Sequence, residues 1–161
     1  LNKVKISDII QSIREFTGVK RRFEYHINNE KIKYIDDYAH HPNEISVIIK
    51  SLRKLYSNKK ISIIFQPHLY SRTFHLLDDF ASVLSMSDEV MLLNIYGARE
   101  NAYNGVSIVD LLKKINCREK GVYKKTSFPK ILNKDKIDIL LTLGAGDISD
   151  LVSPIKSYLD D

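Results

Sequence analysis

The stretch Ile61-Ser62-Ile63-Ile64-Phe65-Gln66-Pro67-His68-Leu69-Tyr70-Ser71-Arg72-Thr73 runs from a short, almost wholly apolar segment into a loop carrying histidine and arginine. A short run without alternation is the mark of a strand buried on both faces of a parallel sheet. Glu89 to Ile95 and Ile137 to Leu143 repeat it. Between them the spacing predicts helices over Glu44 to Tyr56, Tyr70 to Met86 and Ser107 to Ile115. A weaker strand around Gly121 to Tyr123 and a short helix from Phe128 to Asn133 follow. Asp147 to Leu159 closes the chain as a helix that Pro154 should interrupt or shift. Upstream, Arg22 to Ile27 and Lys31 to Asp36 alternate in polarity, and Asn28-Asn29 joins them as a β-hairpin. Before the hairpin, Ile9, Ile10, Ile13 and Phe16 share one helical face, with Ser7 as N-cap and Gly18 as stop. Alternating strand and helix with short loops implies right-handed crossovers. The fold expected is α/β and Rossmann-like: a mostly parallel sheet, helices on both faces, and an N-terminal β-hairpin.

Composition narrows the class. The chain has 161 residues, a net charge of +5, one cysteine and no tryptophan, with 43% apolar residues and only six glycines and four prolines. That bounds a single domain over residues 1–161 with a real core, and argues against disorder or a disulfide framework. No apolar run approaches the ~20 residues of a membrane span, and Leu1-Asn2-Lys3-Val4 does not open a signal peptide, so a soluble domain is expected. The lysines are spread rather than striped, which favours a solvated surface over a nucleic-acid interface. Cys117 lies far from the clustered loops and reads as structural or incidental.

Ligands of open α/β sheets collect at the carboxyl ends of the strands. There the chain places Asp37-Tyr38-Ala39-His40-His41-Pro42, Gln66-Pro67-His68-Leu69-Tyr70-Ser71-Arg72-Thr73, Tyr96-Gly97-Ala98-Arg99-Glu100-Asn101 and Gly144-Ala145-Gly146-Asp147. The opposite strand ends are expected to lack such loops. Each loop also has a plain reading: Asp37 as a turn residue, and His40 and His41 as caps of the helix begun by Pro42 and Asn43. His40, His41 and His68 fall on adjacent strand ends, but their spacing matches no zinc pattern. Arg72 in a helix's first turn opposes the dipole unless an anion sits there too. Gly144-Ala145-Gly146 is either a tight strand–helix turn or an anion cradle. Neither a GxxxxGK[ST] loop nor a GxSxG elbow occurs, so a phosphate cradle would have to come from elsewhere.

Taken together, Asp37-Tyr38-Ala39-His40-His41-Pro42 and Gln66-Pro67-His68-x-Tyr70-Ser71-Arg72-Thr73 resemble the C-terminal domain of Mur ligases, in the family's alanine-adding branch. Gly18-Val19-Lys20-Arg21-Arg22-Phe23, Gly97-Ala98-Arg99-Glu100-Asn101 and Gly144-Ala145-Gly146-Asp147 fall in the family's order. The resemblance implies one part of a three-domain enzyme joining L-alanine to UDP-N-acetylmuramate through an acyl phosphate, with ADP and phosphate released. ATP and Mg2+ would be held mainly by a central domain, and UDP-N-acetylmuramate by an N-terminal one, neither being present here. By the same implication Arg22 contacts ATP phosphates and Asp37 the ribose. Tyr38, His40, His41, His68 and Arg72 would line the substrate pocket, with Arg99, Glu100 and the Gly144, Ala145, Gly146 backbone completing its wall. Arg72 would neutralise the alanine carboxylate or anionic groups of the UDP-sugar, and a histidine would help keep the amine unprotonated. No residue of this chain alone is catalytic, no metal ligand is expected in it, and the implied location is cytoplasmic, without nucleic-acid or membrane partners. The chain departs from many members in having Leu69, not Arg, after the Gln-Pro-His histidine. The alternatives are a peptide-recycling ligase of the same family, a basic nucleotide- or nucleic-acid-binding module, and a stand-alone ligand-binding α/β domain.

Overall fold

The computed structural model describes residues 4–102 and 105–161; Leu1-Asn2-Lys3, on which the signal-peptide reading rests, lie outside the described residues. Six strands form one sheet: β1 (Glu24–Asn28), β2 (Lys33–Asp37), β3 (Ile61–Phe65), β4 (Glu89–Leu92), β5 (Glu119–Val122) and β6 (Ile139–Leu143). Their order is β1-β2-β6-β3-β4-β5, with β1 antiparallel to β2 and every other pairing parallel. The central strand β6 is buried throughout, as is β3, which accounts for their lack of alternation.

Successive residues of each strand feed two apolar layers. Ile35, Ile63 and Leu141 face one way, against Ile45, Ile49 and Leu52 of α2 (Pro42–Leu55), Phe80 and Leu84 of α4 (Leu77–Leu84) and Leu111 of α5 (Ile108–Lys114). Tyr34, Ile64, Met91 and Leu140 face the other way, against Phe128 and Leu132 and against Ile155 and Leu159 of α6 (Val152–Asp160). The chain steps outward from β3 to β5 with its helices on the first face, then returns across the second face to insert β6 between β2 and β3. The connection leaving β6 thus covers a different face from those leaving its neighbours, which opens a crevice at their carboxyl ends.

Several boundaries differ from the sequence expectation. The hairpin loop spans residues 29–32 rather than Asn28-Asn29, because the Asn29 side chain accepts from the Lys31 and Ile32 amides and closes a longer turn. The helix expected over Tyr70 to Met86 breaks at Leu76, where φ is −113°, into α3 (Tyr70–His75) and α4. No helix forms over Phe128 to Asn133: Phe128 precedes a proline and is extended, a conformation that position favours. The last helix is split, with a 3-10 turn over Asp147–Leu151 followed by α6. Pro154 falls in the first turn of α6, where a missing N–H costs nothing. The first helix, α1 (Ile6–Glu15), is N-capped at Lys5 rather than Ser7 and buries none of its residues. No helix among the described residues is long and apolar enough to cross a membrane.

Candidate functional site

The end of β2 is built around two buried carboxylates. Asp36 accepts from the Thr142 hydroxyl at 2.6 Å and from Arg21 Nε at 2.9 Å. Arg21 also donates to the Gly144 carbonyl, strapping β2 to the β6 turn. Asp37 accepts from the Phe23 amide at 2.6 Å and the Ala39 amide at 2.7 Å. These bonds fold the Gly18-to-Phe23 stretch over the strand end, where Arg21 and Phe23 adopt positive φ. Arg22, exposed beside them, carries its guanidinium 5.6 Å from the Tyr38 ring centre, and Arg21 approaches the same ring at 5.2 Å.

His41 is the N-cap of α2, its Nδ1 accepting from the Asn43 amide. Glu44 answers by accepting from the His40 and His41 amides, completing a capping box. Burial pushes the Glu44 carboxyl up, but those two amides and the His40 and Arg22 charges bring it below its ordinary value. His40 places Nδ1 3.0 Å from the Tyr38 carbonyl and its ring between Tyr38, at 5.2 Å, and His68, at 6.1 Å.

His68 and Leu69 leave β3 in a short parallel bridge with Tyr96, in which the Leu69 amide donates to Tyr96 and the Tyr96 amide to Pro67. The His68 and Tyr96 rings stack at 5.6 Å and 25°. Leu69 holds φ at 73° as it turns the chain into α3, which carries Arg72. Glu100 accepts from both the amide and the hydroxyl of Ser71, so a carboxylate of the protein itself sits at the start of α3. The Ser71 hydroxyl and amide hold the Glu100 carboxyl below its usual range. Among the described residues three buried side-chain nitrogens have no hydrogen-bond partner: His26 Nε2, His68 Nδ1 and Arg72 Nη1. Two of the three adjoin at this rim. Burial, the Arg72 charge and then His40 push the His68 imidazole below its ordinary value, against the opposing charge of Glu100.

The β6 turn is a tight one. A Cβ on Gly144, whose φ is 147°, would stand 2.7 Å from the Gln66 carbonyl; one on Gly146 would stand 2.7 Å from both Gln66 Oε1 and Tyr96 Cγ. The Gly144 amide donates to the Asp37 carbonyl, and beyond the turn the Ile148 amide donates to Gln66 Oε1. Gln66 completes the link by donating to Asp147 at 2.7 Å.

The structure therefore brings Tyr38, His40, His68 and Gly146 into one run of contacts, with Arg72 beside His68 and Ala145 in the same turn. Arg99 is exposed at its margin. His41 Nδ1 and the carboxylates of Glu100 and Asp37 bond backbone or side-chain groups that shape the helix starts and loops. Arg21, Asp36, Gln66 and Tyr96 belong to the same constellation and were missed: Gln66 opens a motif already singled out, whereas nothing in sequence separates Arg21 from Arg22. The expected asymmetry between strand ends also needs correction. The amino ends are rich in charge and border a cleft of about 530 Å³ lined by Arg53, Lys59, Lys60, Asp88, Arg118 and Glu119, among others. There Arg53 bonds Asp88, Lys59 bonds Asp138, and Lys60 bonds Glu89 and Glu119; at the carboxyl ends Arg21 bonds Asp36 and Lys125 bonds Asp147, while His68 Nδ1 and Arg72 Nη1 have no partner among the described residues.

Comparison with known proteins gives this geometry a family. The model of the Mur ligase, glutamate ligase domain matches residues 21–146. UDP-N-acetylmuramate–L-alanine ligase of Flavobacterium psychrophilum is 44% identical over 95% of the chain, and that of Porphyromonas gingivalis strain ATCC 33277 is 47% identical over 99%. The chain spans about a third of the length of these curated relatives, 34% and 35%. The solved structure of UDP-N-acetylmuramate-alanine ligase from Thermotoga maritima superposes with a TM-score of 0.74 at 28% identity, over 98% of this chain and 34% of that one. A murein peptide ligase from Psychrobacter arcticus shares the fold, with a TM-score of 0.66 at 19% identity, over 99% of this chain and 34% of that one. From the strand order to the His68–Arg72 rim, the chain belongs to the Mur ligase family and corresponds to its glutamate ligase domain.

Proposed function

We propose that this chain is the amino-acid-binding portion of an ATP-dependent ligase that joins L-alanine to UDP-N-acetylmuramate in the cytoplasm, for peptidoglycan precursor synthesis. The observation that carries the reading is the pair of buried, unpartnered nitrogens, His68 Nδ1 and Arg72 Nη1, at the carboxyl ends of the parallel strands. A buried guanidinium nitrogen without an acceptor is costly, and a ligand carboxylate would satisfy it. The relatives at 44% and 47% identity are named for alanine, which supplies both that carboxylate and an amine.

In the reaction the lactyl carboxylate oxygen attacks the γ-phosphorus of ATP and ADP leaves. The alanine nitrogen then attacks the acyl carbon, phosphate leaves, and the nitrogen loses its extra protons. Arg72 fixes the alanine carboxylate. His68, kept neutral by burial and by the Arg72 charge, accepts a hydrogen bond from the amine. Tyr38, His40 and the Gly144–Gly146 turn wall the pocket. Arg22, exposed on Tyr38, is placed for ATP phosphates. Asp37 meets a ribose only through the second lone pair of each oxygen, because both oxygens already accept amides. ATP brings the phosphoryl group, and Mg2+ would neutralise it; no group of three His, Cys, Asp or Glu among the described residues could share a metal ion. Positioning and charge neutralisation, rather than a nucleophilic side chain, are what this chain contributes.

The test is ADP release by the full-length gene product with UDP-N-acetylmuramate and either L-alanine or a tripeptide. Alanine-dependent release, lowered about a hundredfold in kcat/KM by R72A, supports the proposal, and so does silence of the chain assayed alone. Preference for the tripeptide would move the protein to the recycling ligases; alanine-dependent ATP hydrolysis by this chain alone would overturn the proposal.

A further inference from the structure

His68 Nδ1, the nitrogen that would meet the ligand, is buried and has no hydrogen-bond partner among the described residues. The ring is held by aromatic faces: Tyr96 stacked at 5.6 Å and 25°, His40 edge-on at 6.1 Å and 67°. The Tyr96 backbone is locked to the same strand end by two hydrogen bonds, Leu69 to Tyr96 at 2.9 Å and Tyr96 to Pro67 at 2.8 Å. Behind it, Gly146 is bare because a Cβ there would lie 2.7 Å from Tyr96 Cγ and 2.9 Å from its Cβ. The Tyr96 ring is thus wedged between the β6 turn and His68, yet remains 36% exposed at the rim where the ligand would enter.

We infer that Tyr96 is a positioning residue: its ring fixes the plane of the His68 imidazole and so aims Nδ1 at the amine of the bound amino acid. The inference rests on the assignment of His68 to the alanine pocket. Stacking of two rings contributes modestly on its own, but a freely rotating imidazole would present its nitrogen to the substrate only part of the time. Tyr96 also completes the burial that holds His68 neutral beside Arg72 and His40, with Glu100 opposing. The phenolic hydroxyl plays no part in this; the ring does.

Kinetics of the full-length gene product test it, with L-alanine as the varied substrate and Y96F, Y96L, H68Q and the Y96L/H68Q double variant compared. Y96F should stay within about twofold of the parent, whereas Y96L should raise KM for alanine about fivefold and leave KM for ATP unchanged. In the H68Q background Y96L should have no further effect on alanine KM, because the imidazole it positions is gone. Additive losses from Y96L and H68Q, or a Y96F defect as large as that of Y96L, would overturn the positioning role while leaving the pocket intact. An alanine KM unchanged by H68Q would instead sink the pocket assignment itself. Should Y96L fail to fold, the unmodified chain decides by NMR: the His68 ring protons should be displaced upfield by Tyr96 and show cross-peaks to it, and ordinary shifts without cross-peaks would refute the stack.

Discussion

At the amino ends of the parallel strands, Arg53, Lys59 and Lys60 meet Asp88, Asp138, Glu89 and Glu119 at 2.8 to 3.0 Å. At the carboxyl ends, Arg72 and His68 each keep a buried nitrogen without an acceptor or donor. The first rim borders a cleft of about 530 Å³; the second has smaller cavities, about 350 Å³ beside Arg22 and about 280 Å³ beside Gln66 and Asp147. Volume alone points to the first rim. What distinguishes the second is a pair of buried nitrogens, His68 Nδ1 and Arg72 Nη1, without a partner among the described residues.

The comparison is open to breakage by mutation. R72A should lower kcat/KM for alanine about a hundredfold in the full-length gene product, the loss expected when a buried charge pair loses one partner. R53A, at the opposite rim, should leave kcat/KM within twofold while lowering the free energy of unfolding in urea by about 1–2 kcal/mol, since Arg53 ties Asp88 and the Met86 carbonyl together. Equal catalytic losses from the two would erase the distinction between the rims. E100Q should weaken alanine binding about threefold, read as KM, by loosening the Ser71 clamp that sets the start of α3. A pH effect belongs to the paired rim. The Asp138 carboxyl is held below its ordinary value by the Lys60 amide first, against some burial, and then by Lys59. Its contribution is therefore full above about pH 4, the unfolded value, and fades as pH falls through the lower folded value. D138N should flatten that acid limb in thermal melts and cost about 1 kcal/mol at pH 7. Smallest of all, E119Q should cost under about 0.5 kcal/mol, because its bond to Lys60 is half exposed and screened.

Much of the architecture could be read in advance. Ile61–Phe65 is a strand with the bounds its apolar run suggests, and the hairpin and the mostly parallel pairing were legible from alternation and loop length, though not the order that inserts β6 between β2 and β3. Local backbone and side-chain details decided the rest. Leu76 interrupts a stretch whose composition is helical throughout, and Asn29 enlarges the hairpin loop through two side-chain bonds that no propensity announces. Pro129 holds Phe128 extended where a helix was expected over 128–133. Helices α1 and α2 show how far periodicity reaches: both are amphipathic, yet α2 buries Ile45, Ile48, Ile49 and Leu52 while α1 buries none. Periodicity tells which face is apolar, not what covers it. At the site, His68 and Arg72 were visible as a pair four residues apart. Tyr96 and Arg21 were not, since the first acts through a ring stack across strands and the second turns inward only because its own φ is positive.

The most direct measurement is a crystal structure of the full-length gene product with L-alanine bound. The account predicts an alanine carboxylate oxygen about 3 Å from Arg72 Nη1 and the amine directed at His68 Nδ1. Alanine seated elsewhere, with both nitrogens still unpaired, would contradict it.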